Sequence, residues 1–357
     1  MEDLAVGLRD VEFQRRFLWG RMQGEAHPHY CWVAIGMPYF RERFERSVVC
    51  LFHHPNHPAA SATEPQGTGF LVSRRAKRGL LNHVYAVSNR HVVEECPRIR
   101  INTKAGSSRF IDVEFDEWLP SGTDDLAATD ITDKLGFDYD ALSWSDDFAW
   151  IEEGYFVAKP ERGFRGPHIG DDVFMVGLYV DHQAGSQNAP VGRFGNVASI
   201  PSLSHPVSLS PSDPYKAPGY LIDMRSRTGF SGSPVWMWRA GTDLSDIPWE
   251  DSVKEGTVYT RPTVALLGIH RGQIWEEIGV KERNNPRHRW STISVPSSMT
   301  GVVPSWQITA LLDHAAFEGQ RVQRDSRPDR QRLTDSLKDQ RRCQEITAYH
   351  RAATLLS

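Results

Sequence analysis

The sequence predicts an all-β protein built from two antiparallel β-barrels of the six-stranded type, with helical segments at both ends. From Ser47 onward, short runs of β-branched and aromatic residues alternate with Gly, Pro, Asn or Ser, a pattern typical of strands and turns. These runs form two groups, and no long helical pattern separates the members of either group. The pattern therefore favours two all-β units over an alternating α/β architecture.

The two groups of strands give the domain boundaries. The first group contains VVCLF, TGFLVS, VYAVSN, RIRI and FIDVEF, and the second contains DDVFMVGLYV, NVASI, GYLIDM, SPVWMW and VALLGIH. We assign residues 47–160 to the first barrel and residues 161–305 to the second.

The two ends of the chain are predicted to lie outside the barrels. In residues 1 to about 20 apolar side chains recur at helical spacing, and a short helix is expected near Pro38 to Arg46, so we predict a helical N-terminal extension over residues 1–46. Residues 306–318 have the periodicity of a C-terminal helix, and residues 319–357 form a charged tail that is either helical or disordered. Both extensions, 1–46 and 319–357, are candidate binding regions for a regulatory protein partner.

Composition restricts the class of protein. Of the 357 residues 39% are hydrophobic, which is enough for a core, and the net charge of -4 gives no overall attraction to nucleic acid or acidic membranes. No apolar run approaches the ~20 residues of a membrane span. The start of the chain lacks the basic and apolar regions of a secretory signal, and its four cysteines are widely spaced. We therefore expect a cytoplasmic protein with reduced thiols that binds neither nucleic acid nor membrane.

Three segments carry the residue types of nucleophilic catalysis. Ser231 lies between glycines in RTGFSGSPVW, a sequence that would also suit an ordinary turn. A serine nucleophile needs a histidine base and a carboxylate that orients the histidine. His91 ends an apolar strand in YAVSNRHVV, and Asp147 directly precedes an apolar run in SDDFAW, with Asp146 as the nearest alternative.

Together the motifs GTGF, SNRHVV, DFAW and GFSGSP resemble, in this order, those of the trypsin-like (chymotrypsin-fold) serine peptidases. The resemblance covers about Ser47 to Phe317 and is to the bacterial-type branch without disulfides. It implies a chymotrypsin-like pair of barrels and a serine endopeptidase that acts on protein or peptide substrates without a metal or other cofactor. By the same resemblance His91 is the general base, Asp147 its orienter and Ser231 the nucleophile, and the N–H groups of Gly229 and Ser231 form the oxyanion hole.

One residue of the serine motif departs from the digestive enzymes of the family. Phe230 occupies the position where those enzymes have an aspartate that pairs with a newly cut N-terminus. The resemblance therefore implies that this chain is not activated by that route.

The segment VALLGIHRGQ resembles the family strand that lines the primary specificity pocket. It places His270 where glutamyl endopeptidases also have a histidine, and Arg225 matches the base of the pocket. With Ser226 as a third donor, these residues predict a preference for Glu or Asp before the cut bond. Alternatively, Arg225 pairs with Asp223 or faces solvent. Arg271 occupies a position where many relatives have a small serine.

Two other interpretations remain open. The clusters HPHYC (27–31) and HHPNH (53–57) contain metal-ligating residue types, but neither has a second ligand pair at zinc-finger spacing, so we expect no metal. The alternative function is a latent or inactive trypsin-like fold that serves as a peptide-binding or scaffold module. The presence of His91, Asp147 and Ser231 argues against it.

Overall fold

The computed structural model describes residues 42–61, 64–75, 82–103, 106–138, 143–144, 148–157, 166–179, 185–210, 213–239, 263–281 and 290–327. None of the helices in these ranges is long and apolar enough to cross a membrane. The predicted N-terminal extension and Asp147 lie outside the described residues, except for residues 42–46 of the extension.

The first half of the described chain is a sheet of short strands. A short helix, α1 (Glu42–Arg46), precedes them, and a single helical turn, α2 (Arg90–Val93), follows the third strand. The strands are β1 (Val48–Phe52), β2 (Gly67–Arg75), β3 (Asn82–Ser88), β4 (Arg98–Asn102), β5 (Ser108–Ile111), β6 (Leu119–Pro120), β7 (Ala127–Asp130), β8 (Phe137–Asp138), β9 (Ser143–Trp144) and β10 (Ile151–Glu152).

Eight of these strands form one sheet in the order β5-β4-β1-β2-β3-β7-β6, with β10 added in parallel to β2. The pairing of β3 with β7 is antiparallel and places Ser88 opposite Ala127. The segment that follows β3 and the segment that precedes β7 therefore lie next to each other, at the same end of these two strands. Strands β8 and β9 pair only with each other among the described residues.

The second half is a closed barrel of six antiparallel strands in the order β11-β12-β13-β16-β15-β14. Its strands are β11 (Asp172–Gly177), β12 (Val191–Ser199), β13 (Tyr220–Asp223), β14 (Pro234–Arg239), β15 (Thr263–Lys281) and β16 (Trp290–Pro304). Two helices follow: α3 (Ser305–Leu312) and α4 (Ala315–Asp325). Since β14 begins three residues after Ser231, the barrel fixes the turn that carries this serine.

A shared apolar core joins the sheet, the barrel and the helices. It contains buried side chains from every part of the described chain: Phe44 of α1, Phe70 and Tyr85 of the sheet, Phe174, Trp236 and Leu266 of the barrel, and Ile308 and Phe317 of the C-terminal helices. The rings of Phe44 and Trp236 are 4.2 Å apart between centroids. Residue 44, which the sequence placed in the N-terminal extension, is therefore part of the core.

Helix α4 is attached to the sheet by buried arginines. Arg324 donates from Nη1 to Asp130 Oδ2 at 2.8 Å and to His83 Nδ1 at 3.0 Å, and from Nε to Asp133 Oδ2 at 3.1 Å. Because an arginine can only donate, Nδ1 of His83 is the acceptor, and its Nε2 donates to Asp325 Oδ1 at 3.0 Å. Paired charges of this kind can be buried without leaving polar groups unsatisfied.

These contacts change the predicted boundaries. The all-β fold and the closed six-stranded barrel are confirmed, and residues 306–318 are mostly helical as expected. The main sheet of the first unit has eight strands, because two-residue segments without an apolar run also join it. Residues 319–325, assigned to the charged tail, belong to α4, and its arginines Arg321 and Arg324 are buried. Charge content alone suggested solvent exposure because it cannot reveal such pairs.

Replacing Arg324 tests this attachment. We expect Arg324→Ala to lower the free energy of unfolding by about 3–5 kcal/mol, since it leaves Asp130 buried without its partner. Arg327→Ala is the control: its side chain is 54% exposed and lies 3.8 Å from Asp133, so its loss should cost under about 1 kcal/mol. Equilibrium unfolding in urea measures both, and equal effects would contradict the role of Arg324.

Candidate active site

His91, the candidate base, and a buried carboxylate meet where β3 and β7 adjoin. His91 lies in α2, just after β3, and its Nδ1 is 2.6 Å from Oδ2 of Asp125. The other carboxylate oxygen, Oδ1, accepts the backbone N–H of His91 at 3.0 Å. The Asp125 side chain is 5% exposed and that of His91 is 49% exposed. Asp125 thus binds the imidazole through Nδ1 and the backbone of the same residue through its N–H, and it leaves Nε2 to face other partners.

The backbone around this pair is also held in place. Asn89 Nδ2 donates to the carbonyl oxygen of Asp125 at 2.8 Å, and Asn89 is fully buried. The carboxyl group of neighbouring Asp124 is buried as well, and this burial raises its pKa. Asn89 therefore couples the segment before His91 to the segment that carries the carboxylate.

The orienting carboxylate predicted from the sequence was a different one. Asp147 was expected to contact His91, but Nδ1 of His91 is bonded to Asp125, and Asp147 lies outside the described residues. In the sequence Asp125 also directly precedes an apolar run, Leu126-Ala127-Ala128, as Asp147 does in DFAW. That segment was the signal that could have identified Asp125.

Ser231 lies on a turn that the first sheet holds from the other side. The backbone N–H of Thr68, in the GTGF segment, donates to the carbonyl oxygen of Ser231 at 3.0 Å, and its Oγ1 donates to the carbonyl oxygen of Gly229 at 2.6 Å. Oγ1 also accepts the N–H of Leu178 at 2.8 Å. Thr68 was not identified as a functional residue from the sequence, although its motif was.

Two glycines give the turn its shape. Gly229 and Gly232 have φ values of 96° and 86°, in the left-handed region that favours glycine. At Gly232 a Cβ would also lie 1.9 Å from the carbonyl oxygen of Thr68. The Gly-x-Ser-Gly pattern is thus required by both backbone conformation and close approach.

The residue between Gly229 and Ser231 is an apolar anchor. Phe230 is fully buried in the barrel core with Val173, Met175 and Tyr220. Its carbonyl oxygen accepts the N–H of Ser233 at 3.0 Å and faces Nδ1 of His270 at 3.1 Å. The conformation of the Phe230–Ser231 peptide is therefore fixed from inside the barrel.

His270 makes contacts within the protein at both ring nitrogens. Nδ1 faces the Phe230 carbonyl, and Nε2 is 2.7 Å from Oγ1 of Thr300. Complete burial lowers the pKa of His270 to about 4, so the ring is neutral at pH 7. A carbonyl can only accept, so Nδ1 carries the proton, and the unprotonated Nε2 faces the Thr300 hydroxyl, whose oxygen is also 2.7 Å from the carbonyl oxygen of Gly272. The sequence predicted His270 as a ligand of substrate, and no ring nitrogen is left for that contact in this arrangement.

His91, Asp125 and Ser231 line one cleft of about 1290 Å³. The predicted pocket residues Gly229, Arg225, Ser226 and His270 line the same cleft. Arg225 is exposed and Ser226 is buried. Among the described residues no hydrogen bond joins Oγ of Ser231 to Nε2 of His91.

Arg271 positions one wall of this cleft. Its guanidinium forms an ion pair with Asp213, both side chains being nearly buried, and lies 5.4 Å from the centre of the Tyr215 ring. Tyr215 and Asp213 line the cleft. The large side chain that departs from the family's small serine thus holds the 213–215 loop at the site.

The histidine cluster at 53–57 makes contacts of its own. Nδ1 of His53 is 2.9 Å from the carbonyl oxygen of Glu95, the His53 and His57 rings stack 4.2 Å apart, and His54 pairs with Glu114. Within the described ranges, no group of three or more His, Cys, Asp or Glu side chains could hold a metal ion. Residues 27–31 lie outside those ranges.

The comparisons with known proteins do not identify a family for this chain. No protein-family model and no curated protein matches the chain. Among solved structures, the chain is similar to an inactive form of a mutant of Rv3671c from M. tuberculosis H37Rv, with 16% sequence identity and a TM-score of 0.38. The match covers 75% of this chain and 86% of that one.

Substitution of Gly170 and Gly232 distinguishes the cost of an alanine at positive φ from the additional cost of a steric clash in the serine turn. An alanine at positive φ costs about 1–2 kcal/mol, and we expect that loss for Gly170→Ala, because φ is 95° and no atom lies within 4 Å of the added Cβ. Gly232→Ala should lower the free energy of unfolding further, because its Cβ meets Thr68. Denaturant unfolding of both variants checks this, and a smaller loss for Gly232→Ala would contradict the close approach.

Proposed function

We propose that this chain is a serine endopeptidase of the trypsin-like type, with Ser231 as nucleophile, His91 as general base and Asp125 as the orienting carboxylate. The observation that best supports this proposal is the 2.6 Å contact between Nδ1 of His91 and the buried Asp125, in a cleft that Ser231 also lines. A buried carboxylate on Nδ1 keeps the proton there and leaves Nε2 basic. The three groups are the minimum that serine catalysis requires.

The reaction follows from these positions. Nε2 of His91 takes the Ser231 hydroxyl proton while Oγ attacks the carbonyl carbon of the substrate. The tetrahedral intermediate collapses as His91 returns the proton to the leaving amine, which breaks the peptide bond and leaves an ester on Ser231. A water molecule then repeats the sequence and releases the acid. Asp125 stabilises the imidazolium that forms in each half-reaction.

The N–H groups of Gly229 and Ser231 would stabilise the negative oxygen of the intermediate. In a trans peptide the C=O and N–H groups point in opposite directions. Because the Phe230 carbonyl points towards Ser233 and His270, the N–H of Ser231 points away from them. Two donors on one carbonyl also polarise the amide, which strengthens its N–H as a donor.

The buried ring of Phe230 supports a site that is assembled without cleavage of the chain. In the digestive enzymes an ion pair at this position holds the serine turn, whereas Phe230 is fully buried among apolar side chains. Burying a phenylalanine contributes about 2–3 kcal/mol, which suffices to favour one conformation of the turn. No new N-terminus is then needed.

A preference for Glu or Asp before the cut bond is the proposed specificity. Arg225 and Ser226 line the cleft beside Gly229 and would donate to a substrate carboxylate. Both ring nitrogens of His270 contact Phe230 and Thr300. His270 would therefore affect kcat, by positioning the oxyanion hole, and would not select the substrate. Arg225 therefore carries the proposed preference.

We propose a reducing, cytoplasmic setting, consistent with Cys50 and Cys96, which are buried and free. The proposed chemistry uses side chains and backbone amides alone, with no metal or other cofactor. A regulatory partner would bind the part of the chain before α1 or the part beyond α4, because Phe44 of α1 is in the core and residues 319–325 are packed on the sheet.

The second candidate function is a latent or inactive fold that binds peptides. The observation that favours it is the missing hydrogen bond between Ser231 and His91 within the described residues. Prompt labelling of the purified protein by a fluorophosphonate would exclude this alternative, since only an activated serine reacts.

Substitutions of the three proposed residues test the mechanism. With casein as substrate, Ser231→Ala and His91→Ala should lower kcat by about 10⁴- to 10⁶-fold. Asp125→Asn should lower it by about 10⁴-fold, because the imidazole is then held in the wrong tautomer.

Asp147→Asn provides the matched control and should cleave at a rate near that of wild type. If Asp147→Asn loses activity while Asp125→Asn keeps it, the orienting carboxylate has been misassigned. If Ser231→Ala cleaves as fast as wild type, the peptidase proposal is wrong.

A peptide-library profile tests the specificity. Arg225→Asp should lower kcat/KM for Glu and Asp on the order of 10-fold or more, since the pocket would then repel the carboxylate. His270→Ala should lower kcat for all residues before the cut without changing their ranking, because its contacts reach the oxyanion hole.

Lys216→Asp makes the same charge reversal at an exposed position outside the cleft lining and should leave the profile unchanged. A wild-type profile dominated by Lys, Arg or large apolar residues would refute the acidic preference and leave the peptidase proposal standing.

A further inference from the structure

The hairpin formed by β15 and β16 extends well past the barrel. Strand β14 accompanies β15 only as far as the pair Pro234–Ile269, and β13 accompanies β16 only as far as Asp223–Met299. Beyond those pairs, the part of β16 before Ser298 and the part of β15 from Gly272 to Lys281 pair only with each other among the described residues. The extension therefore has an unpaired edge on β15, which can accept another strand.

One face of the extension is apolar and open to solvent. Ile278 lies opposite Ile293, and Glu276 lies opposite Val295. Because alternate residues of a strand share a face, Val280 belongs with Ile278. Ile278, Val280 and Ile293 are 46%, 38% and 47% exposed. Contiguous exposed apolar side chains on a sheet usually mark a binding surface.

This face is continuous with the active-site cleft. Glu276, Ile278 and Val295 line the cleft together with Ser231 and His91. Up to Ile269, β14 pairs with this edge of β15. The serine turn then covers the edge at His270, which forms backbone hydrogen bonds with Gly232 and Ser233. From Gly272 onward the position beside this edge is empty within the described chain, and it starts next to the nucleophile.

We propose that this extension is an exosite that binds an extended, apolar segment of the polypeptide substrate. The inference rests on the proposed peptidase function. Beyond the cleft, the substrate backbone would pair with the free edge of β15 around Ile278 and Val280, and its alternate apolar side chains would pack against these two residues and towards Ile293. A chain seated in this way passes from the exosite directly to Ser231. The substrates so selected are unfolded or extended polypeptides with apolar residues on one side of the cut.

The surface favours an extended substrate over a folded partner. The unpaired edge supplies main-chain donors and acceptors, which a folded protein without a free edge strand cannot satisfy. Its continuity with the cleft gives the bound segment a second point of attachment at Ser231, which raises the local concentration of the scissile bond.

The double variant Val280→Asp/Ile293→Asp tests the exosite. Both residues lie outside the cleft lining, so the catalytic groups are untouched. The control is Val322→Asp, which places the same charge at a 54% exposed apolar residue on α4. Three rates are compared: fluorophosphonate labelling, hydrolysis of a short chromogenic peptide, and cleavage of casein, a largely unfolded protein.

The exosite predicts that kcat/KM for casein falls on the order of 10-fold or more in the double variant, equivalent to about 1.4 kcal/mol. Labelling and short-peptide hydrolysis should remain at the wild-type rate, and Val322→Asp should change none of the three. Unchanged casein cleavage, or an equal loss for casein and the short peptide, would overturn the proposal.

Binding to an inactive protein separates the exosite from the peptidase function. Fluorescence anisotropy of labelled casein with Ser231→Ala should show an affinity that the two aspartates weaken by a similar factor. A wild-type protein that never labels would refute the peptidase proposal, whereas this binding experiment would still decide on the exosite. If the double variant converts a dimer to a monomer in light scattering and casein binding is unchanged, the face joins two copies of the chain and the exosite proposal is wrong.

Discussion

Thr68 connects the two halves of the candidate site, and the geometry of the rest depends on it. Its N–H and its hydroxyl bind the carbonyl oxygens of Ser231 and Gly229, which lie on either side of Phe230. Thr68 belongs to β2, which pairs with β3, and β3 leads to His91. His91 and Ser231 come from different halves of the fold, so a direct link between the segments that carry them fixes their relative position better than core packing alone.

The serine turn is held from three directions by different forces. Thr68 binds its carbonyls from the first sheet, the Phe230 ring is buried in the barrel, and His270 approaches the Phe230 carbonyl from β15. Backbone donors aimed at a developing charge are effective only when they need not reorganise during the reaction. The neutral state of buried His270 fits this requirement, because a fixed tautomer keeps one donor on the carbonyl.

Buried charged side chains hold the scaffold around the cleft. Arg324 and Arg321 fasten α4 to the first sheet, Arg321 donating to the Tyr85 hydroxyl at 2.9 Å, while Arg271 holds the loop that carries Asp213. These arginines extend the apolar core with directional contacts, which select one placement of a helix or a loop where apolar packing would tolerate several. The cleft and its extension on β15 thus rest on a rigid frame.

The sequence by itself determined the local features of this protein. Alternating apolar runs with Gly and Pro between them predicted the strands, and the Gly-x-Ser-Gly pattern marked the turn at Ser231, because both signals arise from neighbouring residues. Residue order likewise singled out His91 at the end of its strand. Only the tertiary structure decided which carboxylate meets His91, since that depends on the register in which Ser88 of β3 faces Ala127 of β7. The hydrogen bonds of His270 and the burial of Arg324 were also decided by the tertiary structure. Their partners are 30 or more residues away in the chain, and a linear pattern cannot specify which distant groups the fold brings into contact.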